Sequence, residues 1–149
     1  MPLADFYASC GPWVHPDTIA AVVAVESRGH PWAIGTSHGA YFARSRDEAV
    51  IVLRHALRTE SSVDIGLMQI NSQWIEKLRI APESLLDPCF NVRVGAAILA
   101  SDFVASARPG RTLIDTLVAA LSRYHSGTDT GAREYATKVL SVRVRSEQP

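Results

Sequence analysis

The hydrophobic pattern along the chain is that of helices separated by short loops. Apolar residues run without interruption from Ile19 to Val25, which is typical of a helix that is buried on most sides. Pro16 stands where proline favours a first helical turn, and Gly29 where a left-handed residue can end a helix. Apolar spacing predicts further helices over about 46–58, 72–78, 88–105, 112–124 and 132–140.

Cap residues and turn residues refine this pattern. Ser45 with Glu48 has the spacing of a capping box, and Asp87 stands before the proline that opens the helix at 88. Two short apolar pieces flank a Gly-containing turn within 32–45, which predicts a loop or short hairpin. The expected fold class is therefore mainly α, with at most a small β hairpin.

The length of 149 residues suits one domain, and the sequence has no internal repeat. We expect a single domain over 1–149, with a core at about 8–140 and a frayed tail at 141–149. No uninterrupted run of 18 apolar residues occurs, so no transmembrane helix is expected. The first residues show neither a basic nor an apolar region, so no signal peptide is visible.

The charges exclude some partners. Lys and Arg total 15 and Asp and Glu total 15, so the basic excess that phosphate binding requires is missing, and no nucleic acid partner is expected. The five histidines lack the spacing of a metal site, so we expect neither a metal nor another cofactor. Cys10 and Cys89 are compatible with two buried thiols or with one disulfide.

Glu26 is the strongest candidate for acid–base chemistry. It follows Ile19, Val22 and Val23 by seven, four and three residues, so it shares a helix face with core positions. A carboxylate that loses hydration there favours its protonated form and can then donate a proton. The alternative is a helix-end glutamate that reaches water or pairs with Arg28.

Two further segments carry candidate binding groups. Gln69 and Asn71 alternate with Met68 and Ile70, so both amides are expected on one side, where they suit the hydroxyl and N-acetyl groups of a sugar. Asn71 could instead cap the following helix. Tyr124 could hydrogen-bond a carboxylate, or simply pack at a helix end.

Taken together, these motifs resemble those of the lysozyme-like lytic transglycosylases. The motifs are Glu26-Ser27, the run from Gly66 to Asn71, and the run from Tyr124 to Gly127, in that order. The chain is most similar to the specialised members of type IV secretion and conjugation machineries, as seen also in the segments 10–12, 33–35, 87–91 and 135–140. The resemblance covers about residues 8–140 and implies a lysozyme-like fold.

The resemblance implies cleavage of the β-1,4 bond between N-acetylmuramic acid and N-acetylglucosamine in peptidoglycan. Glu26 would act first as general acid and then as base on the muramic acid 6-hydroxyl, which forms a 1,6-anhydro ring. Ser27, Gln69 and Asn71 match positions that bind sugar or shape the site, and Tyr124 matches the tyrosine that contacts the acid. His125 stands where the family usually has asparagine, and Arg123 is unusually bulky for its position.

Secondary candidates are weaker. Asp64 could be the second carboxylate of a hydrolase, although an acid before a turn is more often exposed. Trp32 and Tyr41 could stack on sugar faces, although such residues more often pack in a core. Four other acids are expected on solvated helix faces: Glu48, Glu76, Glu83 and Asp102.

The resemblance leaves two alternatives open, a lysozyme-type hydrolase and a non-catalytic module that binds peptidoglycan. The substrate implies the periplasm or cell envelope, where Cys10 and Cys89 could pair. The expected partners are glycan strands and components of a secretion or conjugation machinery, and the expected state is a monomer.

Overall fold

Helices dominate the structure, a computed structural model that describes residues 1–146, with side chains through residue 142. Within these residues the chain forms seven α-helices and four short strands. The helices are α1 Leu3–Cys10, α2 Pro16–Ser27, α3 Arg46–Thr59, α4 Gln73–Leu78, α5 Pro88–Ser106, α6 Leu113–Ser126 and α7 Arg133–Ser146. The strands are β1 Ala33–Thr36, β2 Gly39–Phe42, β3 Asp64–Ile65 and β4 Ile70–Asn71, and a 3-10 helix spans Pro82–Leu86. The mainly α prediction is confirmed.

The termini differ from the prediction. Helix α1 was not predicted, because eight residues with two buried side chains, Tyr7 and Cys10, give little periodic signal. Helix α7 continues to Ser146, so the predicted frayed tail begins within a helix. The rest of that tail, 147–149, lies outside the described residues.

The β part is larger than one hairpin. The four strands form an antiparallel sheet in the order β2-β1-β3-β4. Ile34 pairs with Ile65, and Ile65 with Ile70, so the predicted hairpin β1–β2 is joined to a second one. Strands of two residues are too short to show an alternating pattern in the sequence.

The described chain divides into two compact units. The first unit comprises 1–25 and the described part of 96–149, and the second unit comprises 26–95. Fully buried side chains of the second unit include Ile34, Leu53, Ile65 and Met68. Those of the first unit include Ile19, Val22, Leu99 and Leu121.

Helix α5 is long and apolar enough, by length and composition, to cross a membrane. Its mean hydropathy is 1.3 over 18 residues, and 44% of that window is buried inside the protein. The core helix of a folded domain passes the same test. Asn91 of this helix is fully buried and bonds to the backbone of three residues of the second unit, Ile65, Met68 and Leu85.

Candidate active site

Glu26 lies in the last turn of α2 and is half-buried. The helix ends directly after it, because Arg28 and Gly29 both adopt left-handed backbone angles, with φ of 56° and 80°. The predicted left-handed Gly29 is thus confirmed, and Arg28 shares the turn. The carboxyl group is therefore presented at the end of a helix rather than along its side.

Ser27 fixes this helix end against the segment 66–71. Its side chain is fully buried, and its Oγ donates a hydrogen bond of 2.7 Å to the carbonyl oxygen of Leu67, 40 residues further along the chain. A hydroxyl without exposed surface supports the site rather than meeting a ligand. The bond places the backbone that carries Glu26 next to the loop that carries Gln69.

Gln69 connects that loop to the sheet. Its backbone is left-handed, with φ of 48°, and its Nε2 donates to the carbonyl oxygens of Ala33 at 3.1 Å and Gly66 at 3.0 Å. Its Oε1 lies so close to Gly35 that a Cβ atom there would be 2.5 Å away. Both amide hydrogens are engaged by backbone, so the side chain orders the loop.

Asn71 bonds to the first residue of α4, whose cap residue is Ser72, so it lies one residue before the capping position that the alternative interpretation gave it. Its Oδ1 accepts from the Gln73 backbone N–H at 3.0 Å, and its Nδ2 donates to Ser62 Oγ at 2.7 Å and Asp64 Oδ1 at 3.0 Å. Asp64 stands directly opposite Asn71 in the sheet. The predicted alternation holds, since Met68 and Ile70 are buried while Gln69 and Asn71 are only half-buried.

Aromatic rings gather where the chain enters and leaves the hairpin β1–β2. The ring of His30 lies edge-to-face with Trp32 at 6.3 Å and with Phe42 at 5.3 Å between centroids. Phe42 is 41% exposed, and Tyr41 is exposed with its hydroxyl donating to Glu48. His30 and Phe42 were not predicted, although the hairpin register places Phe42 opposite Ala33, next to Trp32.

In the first unit, Tyr124 and His125 occupy the last turn of α6. The helix ends at Gly127, whose φ is 85° and whose N–H donates to the Arg123 carbonyl oxygen at 2.7 Å. The exposed His125 ring stacks on Tyr135 of α7, with centroids 4.3 Å apart and planes 12° apart. Tyr135 is not among the predicted site residues, because its contact with His125 depends on the turn between α6 and α7.

Asp102 of α5 is less exposed than the sequence predicted. Asp102 is half-buried, and burial raises the pKa of its carboxyl group to about 6, with Asp129 adding to the shift and Arg123 opposing it. Glu76, in contrast, is exposed on α4 as expected.

We expect Asp102 to make the protein less stable as the pH rises. Its pKa is raised on folding, so the folded state holds the proton more tightly, and this stabilisation is lost between about pH 4 and pH 6. Replacement by asparagine should therefore raise the free energy of unfolding at pH 7 by about 1 kcal/mol, after allowing for solvent screening, and leave it unchanged at pH 3.5. Urea denaturation at the two pH values measures both, and an equal effect at both would contradict this assignment.

The question of the two cysteines is resolved, because Cys10 and Cys89 are both disulfide-bonded and the chain has no other cysteine.

Comparison with known proteins assigns the family. The sequence model of the Transglycosylase SLT domain matches residues 5–138. The chain belongs to the transglycosylase SLT domain family. This confirms the resemblance on which the sequence interpretation depends, and the matched range of the SLT domain includes every candidate site residue.

Two relatives show how far the similarity of this SLT domain extends. It is 34% identical over 142 residues to Protein virB1 of Agrobacterium fabrum. These aligned residues cover 91% of this chain and 56% of the relative. It is 31% identical over 135 residues to the Type IV secretion system protein virB1 of Brucella abortus biovar 1. This alignment covers 88% of this chain and 56% of the relative. The chain thus spans about half the length of these curated relatives. No solved structure gives a significant match.

Proposed function

We propose that this SLT domain is a lytic transglycosylase that cleaves the bond between N-acetylmuramic acid and N-acetylglucosamine in peptidoglycan. The observation that carries the proposal is a family match over 5–138 that has a glutamate, Glu26, at the end of α2. The Ser27–Leu67 hydrogen bond supports that position, because it fixes the helix end from within the protein. The match runs through both compact units, which supports our proposal that they form one lysozyme-like domain.

In the proposed reaction Glu26 first gives up one proton and then takes another. Its carboxyl group gives a proton to the bridging oxygen, the bond from that oxygen to C1 of the muramic acid breaks, and the substrate's N-acetyl group stabilises the cation at C1. The carboxylate then takes the proton of the 6-hydroxyl as the 6-oxygen bonds to C1. One glycosidic bond is exchanged for a 1,6-anhydro ring, Glu26 regains a proton, and no water is consumed.

We assign the other candidate residues to two roles, shaping the site or contacting the sugar. Ser27, Gln69 and Asn71 are held by protein groups, so we assign them to shaping the backbone around Glu26. We assign contact with the sugar to Tyr124 and His125 at the end of α6. Trp32 and Tyr41, in or next to the sheet, remain secondary candidates for stacking on sugar, and Asp64 remains the candidate for a second carboxylate.

The biological setting follows from the relatives, one of which is named as a type IV secretion system protein. We propose that this chain acts as a monomer in the periplasm or cell envelope and opens the wall locally for a secretion or conjugation apparatus. The disulfide between Cys10 and Cys89 supports an oxidising compartment.

The reaction type is tested by the ends that the protein leaves on purified peptidoglycan. The proposal expects soluble muropeptides with 1,6-anhydro ends, each one water lighter than a reducing end by mass spectrometry. Reducing ends would show a lysozyme-type hydrolase instead. Co-sedimentation with peptidoglycan and no soluble product would show a binding module.

A further inference from the structure

The two residues that flank Tyr124 both have partners beyond the end of α6. Arg123 donates from Nε at 2.9 Å and from Nη2 at 2.6 Å to the same carboxylate oxygen of Asp129. His125 stacks on Tyr135. Both neighbours of Tyr124 thus help to tie the helix end to the following segment.

Asp129 is the centre of a group that we call the Asp129 cluster, with Ser106, Arg111 and Arg123. Arg111 Nη1 donates to Asp129 Oδ2 at 3.1 Å, and Ser106 Oγ donates to Asp129 Oδ1 at 3.1 Å. The Asp129 side chain is only 16% exposed, and the hydrogen bond from Arg111 is the largest cause that lowers its pKa. The carboxylate therefore stays ionised and joins guanidinium groups from different parts of the first unit, with Arg108 Nη2 also 3.9 Å from Asp129 Oδ2.

The turn that carries Asp129 is also pinned to α6 by hydroxyl groups. Ser122 Oγ is fully enclosed: it donates to the Thr128 carbonyl oxygen at 2.9 Å and accepts from the Ala132 N–H at 2.9 Å. The approach is close at Gly131, where a Cβ atom would lie 2.6 Å from Ser126 Oγ. The turn is thus fixed on the helix by side chains on both sides of Tyr124 in the sequence.

The contacts with the turn and with Asp129 all lie on one face of α6. Successive helix residues are about 100° apart, so Ser122, Arg123 and Ser126 lie on one face and Tyr124 points about 150° away from its centre. The turn and the Asp129 cluster therefore set the direction of the last turn of α6 by contacting a face other than the one that carries Tyr124.

We propose that Asp129 is a positioning residue for the reaction and acts through Arg123 on Tyr124 and His125. This inference rests on the proposed function, because the orientation of Tyr124 and His125 affects a rate only if sugar binds there. The physical reason is that a displacement of about 1 Å in a group that orients the substrate can cost up to 10²-fold in rate.

The test is Asp129→Asn, which keeps the shape of the side chain and removes the charge. On soluble glycan strands, well below the melting temperature, we expect kcat to fall about tenfold with KM changed less than about twofold. Asp129→Glu should restore part of kcat, because it returns the charge. The matched control is Arg54→Gln, which breaks an Arg–Glu pair of 2.8 Å in the second unit and should leave kcat unchanged.

Hydrogen exchange of the amides of 122–127 gives a readout that does not depend on turnover, and Asp129→Asn should accelerate it. If Asp129→Asn does not fold, Arg123→Gln and Arg123→Lys replace it, with the larger loss of kcat expected for glutamine. Wild-type kcat in every folded variant would overturn the inference and show a merely structural cluster. An inactive wild-type protein would instead overturn the proposed function.

Discussion

Replacing Glu26 by glutamine is expected to reduce the rate of glycan cleavage by about 10³-fold, the scale of a lost general acid–base catalyst. Glutamine has nearly the same shape but can neither give up a proton nor accept one. Release of soluble muropeptides from purified peptidoglycan, followed by chromatography, measures the rate.

The loss should be confined to chemistry. Glu26→Gln should still co-sediment with peptidoglycan and should unfold at nearly the same urea concentration as the wild type, because the side chain is only half-buried at a helix end. The matched control is Glu76→Gln, an exposed glutamate of α4, which should retain the wild-type rate. A rate for Glu26→Gln within tenfold of the wild type would contradict its role as the proton donor.

Removal of the disulfide is expected to have the largest effect on stability. Cys10 and Cys89 close a loop of about 80 residues, and the chain-entropy model assigns such a loop about 4.5 kcal/mol. The double variant Cys10→Ala, Cys89→Ala should therefore unfold with a free energy about 4 kcal/mol below that of the oxidised wild type, as measured by urea denaturation.

A reducing agent provides the control for this variant. In its presence the wild type should become about as unstable as the double variant, while the double variant itself should not change. A difference below about 1 kcal/mol between the oxidised wild type and the double variant would contradict the expected contribution of the disulfide.

Features encoded by local residues were predictable from the sequence. Ser45 does accept a hydrogen bond from the Glu48 N–H at 3.1 Å, and Asp87 accepts from the Phe90 N–H at 2.7 Å, because a cap needs only neighbouring residues. Even here one detail differs, since the Glu48 carboxylate accepts from the Arg44 N–H rather than completing a capping box with Ser45.

Features that depend on distant residues were not predictable. The amide of Gln69 is bonded to the Ala33 carbonyl oxygen, 36 residues away, and nothing local to Gln69 encodes that contact. The same holds for Asp129, whose partners Ser106 and Arg111 are 23 and 18 residues away. Family motifs identified Glu26 and Tyr124, but the groups that hold them in place become visible only in the folded chain.

We propose that Glu26 gives its proton to the bridging oxygen and takes another from the 6-hydroxyl, without water entering the reaction. The most direct test of this proposal is digestion of peptidoglycan in water enriched in oxygen-18, followed by mass spectrometry of the new muramic acid ends. We expect 1,6-anhydro ends that contain no oxygen-18, because the 6-oxygen of the sugar itself closes the ring. Muramic acid ends that are one water heavier and carry the label would contradict it.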